Sequence, residues 1–561
     1  MSRDVSHRSP LLISRTALVA LALLGVSGCE SCSGTKGADP RQYLPRSAEA
    51  VFEVSDIGFL AKRRTQLEAL TSGVVTPAQL QGLKSQLARW LGFDVTDEKK
   101  LKEAGLSHSG SVVGSFSSQG RDVLWIIPIV DEAKFKETAK GIVQSKRRID
   151  ATKEEKTEAG NIVVHSTSWG TETLPVAAVS VKQKLGFLAH GPNSQKLVAQ
   201  ALVRKPEQSI LTHPEFQALD KALDDSSIVR LIVPTATAAA AQALRAQALL
   251  SQPALADVIT SLAWSIGWKG QAINAQGRFR MKSQMVEKIQ QVLKPRAKRS
   301  DTMTSLVDVS SVFGLHATGN PQKLIEVLKE PNTPISKQFA RLSTDVKTNL
   351  GIDLDKDVFG LLTGHAAASA RLIDLSTLTN LNAIMQNPSA LARYSVGLGL
   401  DGKSWKKRFD TLLMNFEPQL QARGVQRNSK VMKNIHVDTM VVGEHMLVES
   451  YIAPDAWILT NDDEQSKALL DTSGSSSQVR LSELGGVHAF LNLSVLRQAL
   501  EKVDIGRLTG GDMSGMMLRA IISKAVQALS RLDRLDVKLE AAPDGMVLES
   551  QLKLAPIKSS K

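Results

Sequence analysis

Two periodicities alternate along the chain. Apolar residues at every second position mark strands at Ala50–Val54, Val123–Val130, Ile228–Val233 and Trp264–Trp268. Three-to-four spacing marks amphipathic helices at Glu132–Arg148, Ser194–Val203 and Pro214–Leu223. Shorter apolar runs predict further strands near Ser111–Phe116, Ile162–Ser166, Val176–Val181, Leu185–Ala189 and Ala272–Phe279. Helix starts are signposted. Asp56 precedes a helix over Ile57–Leu70, Thr76-Pro77 opens one running to Leu91, and Asp131 caps the helix from Glu132. The Ala-rich stretch 236–262 reads as helix, and another helix ends near Leu293. Such a mixture predicts an α+β fold, with mainly antiparallel sheets carrying helices.

Lys294-Pro295-Arg296-Ala297-Lys298-Arg299 breaks the pattern with proline and charge, as a linker does. Beyond it, the second half of the chain echoes the first. Strand Ile126 to Val130, with Asp131, Phe135 and Lys136, returns 270 positions later as Val396 to Leu400 with Asp401, Trp405 and Lys406. Gly186-Phe187-Leu188 returns as Trp457-Ile458-Leu459, Val229–Val233 as Val487–Leu491, and Gly270–Phe279 as Gly545–Leu554. The preserved order points to a tandem duplication. Two related α+β domains are therefore expected, over 47–293 and 305–556, joined by a basic linker at 294–304.

The echoes also carry a family resemblance. Tyr43-Leu44-Pro45 before strand Val51–Val54, and Gly351-Ile352-Asp353 to Asp357-Val358 before Leu362-Thr363-Gly364, resemble an uncharacterised family of bacterial envelope proteins. Its pattern is a "YLP" opening and a glycine–hydrophobic–aspartate turn closed by a second aspartate. The first copy, Leu91-Gly92-Phe93-Asp94, has Glu98 where that second aspartate would stand. The resemblance implies an envelope location and brings no catalytic residue with it.

The N-terminus supports the same location. A basic segment ending at Arg15 is followed by the uncharged run Thr16–Gly28, too short to span ~30 Å of hydrocarbon and suited to a signal peptide. The run closes on Val26-Ser27-Gly28-Cys29, which resembles the lipidation and cleavage site of bacterial lipoproteins. Cleavage after residue 28 would leave Cys29 as the acylated first residue, and 29–46 as a flexible polar tether. Two or more acyl chains make such an anchor effectively permanent. Glu30 stands where aspartate is the commoner inner-membrane signal, which favours the outer membrane. With Cys29 acylated, Cys32 has no thiol partner, so the Cys29-x-x-Cys32 spacing is not read as a redox pair.

The 561 residues carry a formal charge of +13. The clusters are Lys62-Arg63-Arg64, Lys146-Arg147-Arg148, Lys294 to Arg299 and Lys406-Lys407-Arg408, without interleaved aromatic residues. That argues for solvated helix surface and against a nucleic-acid groove. In an exported protein the matching partners are another envelope protein, anionic lipid or a glycan.

The remaining chemistry is thin. Gly397 to Ser404 (GLGLDGKS) satisfies a phosphate-loop spacing, with Lys403 and Ser404 placed for phosphate and magnesium. Yet Val396, Leu398 and Leu400 alternate with the glycines as in an extended strand. Asp353, Asp355 and Asp357 open like a calcium loop, but Val358 and Gly364 replace its glycine and bidentate glutamate. His436 and His445 flank strand-like sequence, and Ser404-x-x-Lys407 lacks the companion motifs of penicillin-binding enzymes. The Ala-rich stretch and the Met-rich Gly510–Met517 could line an apolar pocket, with core packing the plainer reading. The expectation is thus a non-enzymatic, membrane-anchored binding or scaffolding protein without cofactor or metal. A carrier of apolar ligands is the alternative, ahead of a nucleotide-binding or hydrolytic enzyme. The only site residue is Cys29.

Overall fold

Where two alternating runs are separated by two residues, the chain folds back on itself. Gln183-Lys184 and Lys433-Asn434 take the left-handed conformation at both positions, the geometry that matches the twist of a tight hairpin. Repeated hairpins build the sheets of the computed structural model. It describes residues 39–58, 97–117, 122–146, 148–235 except 159 and 170, 258–296, 311–329, 334–377, 391–442, 445–462, 485–509 and 513–555, with a few isolated positions between. The chain divides into two compact units, 1–282 with 556–561, and 283–555.

In the first unit the strands are β1 (Ala50–Val54), β2 (Val112–Ser117), β3 (Asp122–Pro128), β4 (Ala151–Thr157), β5 (Gly160–Trp169), β6 (Glu172–Lys182), β7 (Leu185–His190), β8 (Ser227–Val233), β9 (Ile259–Lys269) and β10 (Ala272–Met281). They pair antiparallel throughout, in the order β10-β9-β8-β1-β2-β3-β7-β6-β5-β4. Helices α1 (Glu98–Glu103), α2 (Glu132–Lys146), α3 (Ser194–Val203) and α4 (Pro214–Lys221) close parts of its two faces. One core places Leu124, Ile126 and Phe187 beneath Val198 and Leu202 of α3 and Phe216 of α4. The other sets Ile127 and Leu188 against Leu101 of α1 and Phe135 and Ala139 of α2.

The second unit contains β11 (Phe313–Thr318), β12 (Leu362–Leu372), β13 (Ala392–Leu400), β14 (Val425–Met432), β15 (Ile435–Val442), β16 (His445–Ile452), β17 (Ala456–Thr460), β18 (Gly486–Asn492), β19 (Leu532–Ala542) and β20 (Gly545–Leu554). Their antiparallel order is β20-β19-β18-β11-β12-β13-β17-β16-β15-β14, the order of the first unit strand for strand. The sequence echoes fall on equivalent strands: β3 and β13, β7 and β17, β8 and β18, β10 and β20. Its helices are α5 (Ser283–Leu293), α6 (Pro321–Leu328), α7 (Pro334–Leu350), α8 (Gly402–Ala422), α9 (Leu493–Glu501), α10 (Ile505–Thr509) and α11 (Met513–Leu529). Trp405, Phe409 and Leu413 recur every four residues along α8 and bury against Ile452 and Trp457, as Phe135 of α2 does in the first unit.

Four boundaries differ from the sequence reading. Strand β9 starts at Ile259, inside the stretch read as helix to 262, because Ile259 and Leu262 are buried against Val233. The chain divides after Lys282, not within 294–304. Helix α5, assigned to the first domain, packs in the second unit, where Gln290 donates to the Ala542 carbonyl and the Asn320 amide donates to that of Val292. Order begins well before residue 47: Tyr43 and Leu44 of the expected tether are buried core residues. Strand β4 went unpredicted because Ala-Thr-Lys-Glu-Glu-Lys-Thr lacks alternation. Among the described residues it pairs only with β5, and charge on such an edge discourages further pairing. The helices expected at Ile57–Leu70 and Thr76–Leu91, the Leu91–Asp94 motif and most of the Ala-rich stretch lie outside the described residues; Ile57 and Gly58 form a turn in which Gly58 donates to Asp56.

The cores make one substitution diagnostic. A Cβ at Gly186 would lie 2.4 Å from the Phe135 ring, itself buried. Gly186→Ala should therefore destabilise the first unit by roughly 1–3 kcal/mol, read as a lowered denaturation midpoint.

Candidate functional site

Cys29 lies outside the described residues. What can be seen is how the chain behind it is received. The short 3₁₀ turn Pro40–Tyr43 brings Arg41 onto the first sheet. Its guanidinium meets Asp39 at 2.9 Å, Asp220 of α4 at 3.0 Å and Glu53 of β1 at 3.7 Å, while Arg230 of β8 meets Asp220 at 2.9 Å. Burial works against the Arg41 cation, but the bond to Asp39 and the surrounding carboxylates outweigh it and raise its pKa. Burial also pushes the Glu53 carboxyl above its usual range, against the pull of Arg41 and Arg230. Downstream, Tyr43 donates from its hydroxyl to Gln183, Arg204 donates to the Tyr43 carbonyl, and the Ile210 amide donates to that of Leu44. The Tyr-Leu-Pro opening is thus a clasp between the sheet and the turn after α3.

A second feature occurs in both units. Across β3, β2, β1, β8, β9 and β10 one row of cross-strand neighbours reads Trp125, Gly114, Phe52, Leu231, Trp264 and Gly277. Its four large side chains are only half-buried. The glycines are needed where they are: a Cβ at Gly114 would lie 2.6 Å from the Trp125 ring, and one at Gly277 2.8 Å from that of Trp264. Across the equivalent strands the row is Tyr394, Ala370, Phe313, Leu491, Leu535 and Leu552. Tyr394 is 39% exposed, Phe313 37%, and Val396 in the neighbouring row 43%. Among the described residues, helices α2 and α8 cover this face from the ends of β3 and β13 outward, at Ile127, Ile129 and Leu400.

The motifs singled out in the sequence resolve differently. Gly397 and Gly399 are extended strand residues of β13, and Asp401 caps α8. Its carboxylate accepts the amides of Lys403 and Ser404 at 3.2 and 3.4 Å, the donors that a phosphate would require. Gly402 is there for packing, since a Cβ would lie 1.8 Å from the Ala453 carbonyl oxygen. Asp353 caps a single helical turn, Leu354–Phe359. Asp353, Asp355 and Asp357 pair with Lys347, Lys329 and Arg408 rather than converging on a common point. His436 is half-buried on β15, and His445 begins β16. Met516 and Met517, read as core or pocket lining, are 67% and 72% exposed.

Topology also assembles a group that no spacing announced. His316 of β11 and His365 of β12 stack with ring centroids 6.2 Å apart, and His488 of β18 is the cross-strand partner of His316. His488 lies 3.2 Å from Asp536, which Arg534 also contacts at 2.8 Å. Burial opposes ionisation of Asp536, yet hydrogen bonds from His488 and Arg534 hold its pKa below the usual range. Among the described residues, no hydroxyl or thiol hydrogen-bonds to His488, and no three side chains form a metal-ligating cluster. Among the same residues, no helix is long and apolar enough to cross a membrane.

A family model described as "protein of unknown function (DUF3352)" matches residues 66–383. No curated protein matches the sequence. Among solved structures, TP0453 in crystal form III is 12% identical with a TM-score of 0.25, over 47% of this chain and 90% of that one. Crystal form IV gives 12% and 0.25 over 45% and 83%.

The geometry predicts two outcomes. Lys403→Ala should leave stability and nucleotide response unchanged, whereas Gly402→Ala should cost roughly 1–3 kcal/mol; a nucleotide-dependent thermal shift lost in Lys403→Ala would contradict the capping role. Arg41→Ala should cost about 3 kcal/mol at neutral pH by stranding Glu53. Glu53 already titrates above its unfolded value, so the folded state prefers its neutral form. The penalty should therefore shrink as pH falls into the carboxylate range, visible in denaturation curves at two pH values.

Proposed function

The chain belongs to the DUF3352 family, and from that premise we propose that it is a membrane-anchored envelope protein, held by lipid on Cys29, that binds or scaffolds another envelope component without catalysing a reaction. The observation that carries this reading is the half-buried apolar row on equivalent strands of both units. Apolar surface kept on the same face of equivalent strands, two residues apart in register, in two sheets of different sequence is what a recurring interaction surface requires. The clasp at Asp39–Leu44 supports anchorage, because it gives a short leash a rigid point of attachment. Glu30 favours the outer membrane as the place of retention.

A second reading rests on the aromatic character of the first unit's row. Trp125, Phe52 and Trp264 offer flat apolar area of the kind that takes up acyl or ring systems, which would make the protein a carrier. Organic extraction of the purified protein separates the readings: a stoichiometric apolar ligand favours the carrier, its absence the scaffold.

Cys29→Ser should abolish acyl labelling and membrane fractionation, and continued labelling would refute the anchor. Phe313→Ser with Val396→Ser should leave the fold intact, at a cost of roughly 2–3 kcal/mol, while removing the principal partner recovered by crosslinking in the native envelope. An unchanged set of partners would count against the face.

A further inference from the structure

Five cations gather where the chain enters the first unit. Arg46 and Lys205 flank Gln208, whose carbonyl accepts the Arg46 amide at 3.0 Å and whose amide donates to the Lys205 carbonyl at 3.0 Å. Arg204 donates to the Tyr43 carbonyl at 3.0 Å. Lys182 reaches the Leu202 carbonyl at the end of α3, and Lys184 forms the tip of the adjoining β6–β7 hairpin, beside Gln183, which binds the Tyr43 hydroxyl. Arg46, Lys184 and Lys205 are exposed. Among the described residues, none of the five lies within ion-pair distance of a carboxylate, whereas the neighbouring Arg41 and Arg230 are both ion-paired. Glu207, in the same turn, is the opposing charge. Val203, 61% exposed, stands beside Arg204.

Unpaired cations are common on protein surfaces, but these lie at the attachment point of the leash. From Cys29 to Asp39 the chain has ten steps, which reach at most ~35 Å when fully extended. The patch is thereby confined to within one leash length of whatever surface holds Cys29, and can come inside the ~8 Å range over which such charges act.

We propose that the patch formed by Arg46, Lys182, Lys184, Arg204 and Lys205 is a membrane-facing surface that binds anionic lipid headgroups and lays the first unit against the bilayer. The inference rests on acylation of Cys29 for its geometry. The ammonium and guanidinium groups meet lipid phosphates, and exposed Val203 enters the interfacial layer beside them. Each cation near such a surface contributes attraction of ordinary juxtamembrane size, so reversing three of them is decisive.

The test uses the intact lipidated protein, with Cys32→Ser and a fluorophore at exposed Ser47→Cys, in vesicles of phosphatidylcholine with or without phosphatidylglycerol and a headgroup-attached quencher. Quenching is expected in the anionic vesicles, falling roughly tenfold with Arg46→Glu, Lys184→Glu and Lys205→Glu together, and likewise at high salt. Both proteins should still sediment with the vesicles. Quenching unchanged by the triple reversal, or equally strong in phosphatidylcholine alone, would overturn the proposal. Failure of either protein to sediment would refute the acyl anchor instead; vesicles then added to the same proteins still read the patch through the same quenching difference.

Discussion

An antiparallel sheet of ten strands has two faces, and the pleat obliges every strand to furnish both. That constraint governs each unit. One face of the first sheet is filled by the entering chain, α3 and α4, and part of the other by α1 and α2. A short helix covers about two strands, so apolar positions beyond its reach stay half-buried. The rows through Phe52 and Phe313 are the consequence. They are functional surface in our reading because the apolar pattern runs to the end of the sheet, where polar residues would have been tolerated.

Charge obeys a complementary logic. Two groups of buried or half-buried charges are balanced, one at Arg41, Glu53, Asp220 and Arg230 and the other at Arg427 with Asp410 and Asp438. An unbalanced charge there would be costly. The surplus of the basic chain is left to the surface, and part of it collects around Arg46 and Lys205. None of the four basic runs visible in the sequence contributes to that patch. Of these, Arg148 pairs with Asp150, and Lys406 and Arg408 pair with Asp410 and Asp357.

Much of the fold was legible because local rules and tertiary packing agree. Alternation marked β1, β3 and β8, and Asp131 and Asp401 marked the starts of α2 and α8, since a capping carboxylate works from its own neighbours. The glycine stretch was readable as strand for the same reason. Legibility failed where context overrode pattern. Strand β4 has no alternation to read, being an exposed edge, and α5 looked like the end of one domain because helical spacing does not say which core the helix joins.

The sequence by itself determined the α+β class, the repeated order of elements, the capped helix starts and the candidacy of Cys29, all of which depend on residues near one another in the chain. Only the tertiary structure decided what distant residues do together. The clasp of Arg41 onto Glu53 and Asp220, the meeting of His316, His365 and His488, the aromatic row over Gly114 and Gly277, and the basic patch at the entry of the chain join positions separated by tens to hundreds of residues. Strand order sets those neighbours, and strand order comes from how the faces of the sheet are buried, which no local spacing encodes.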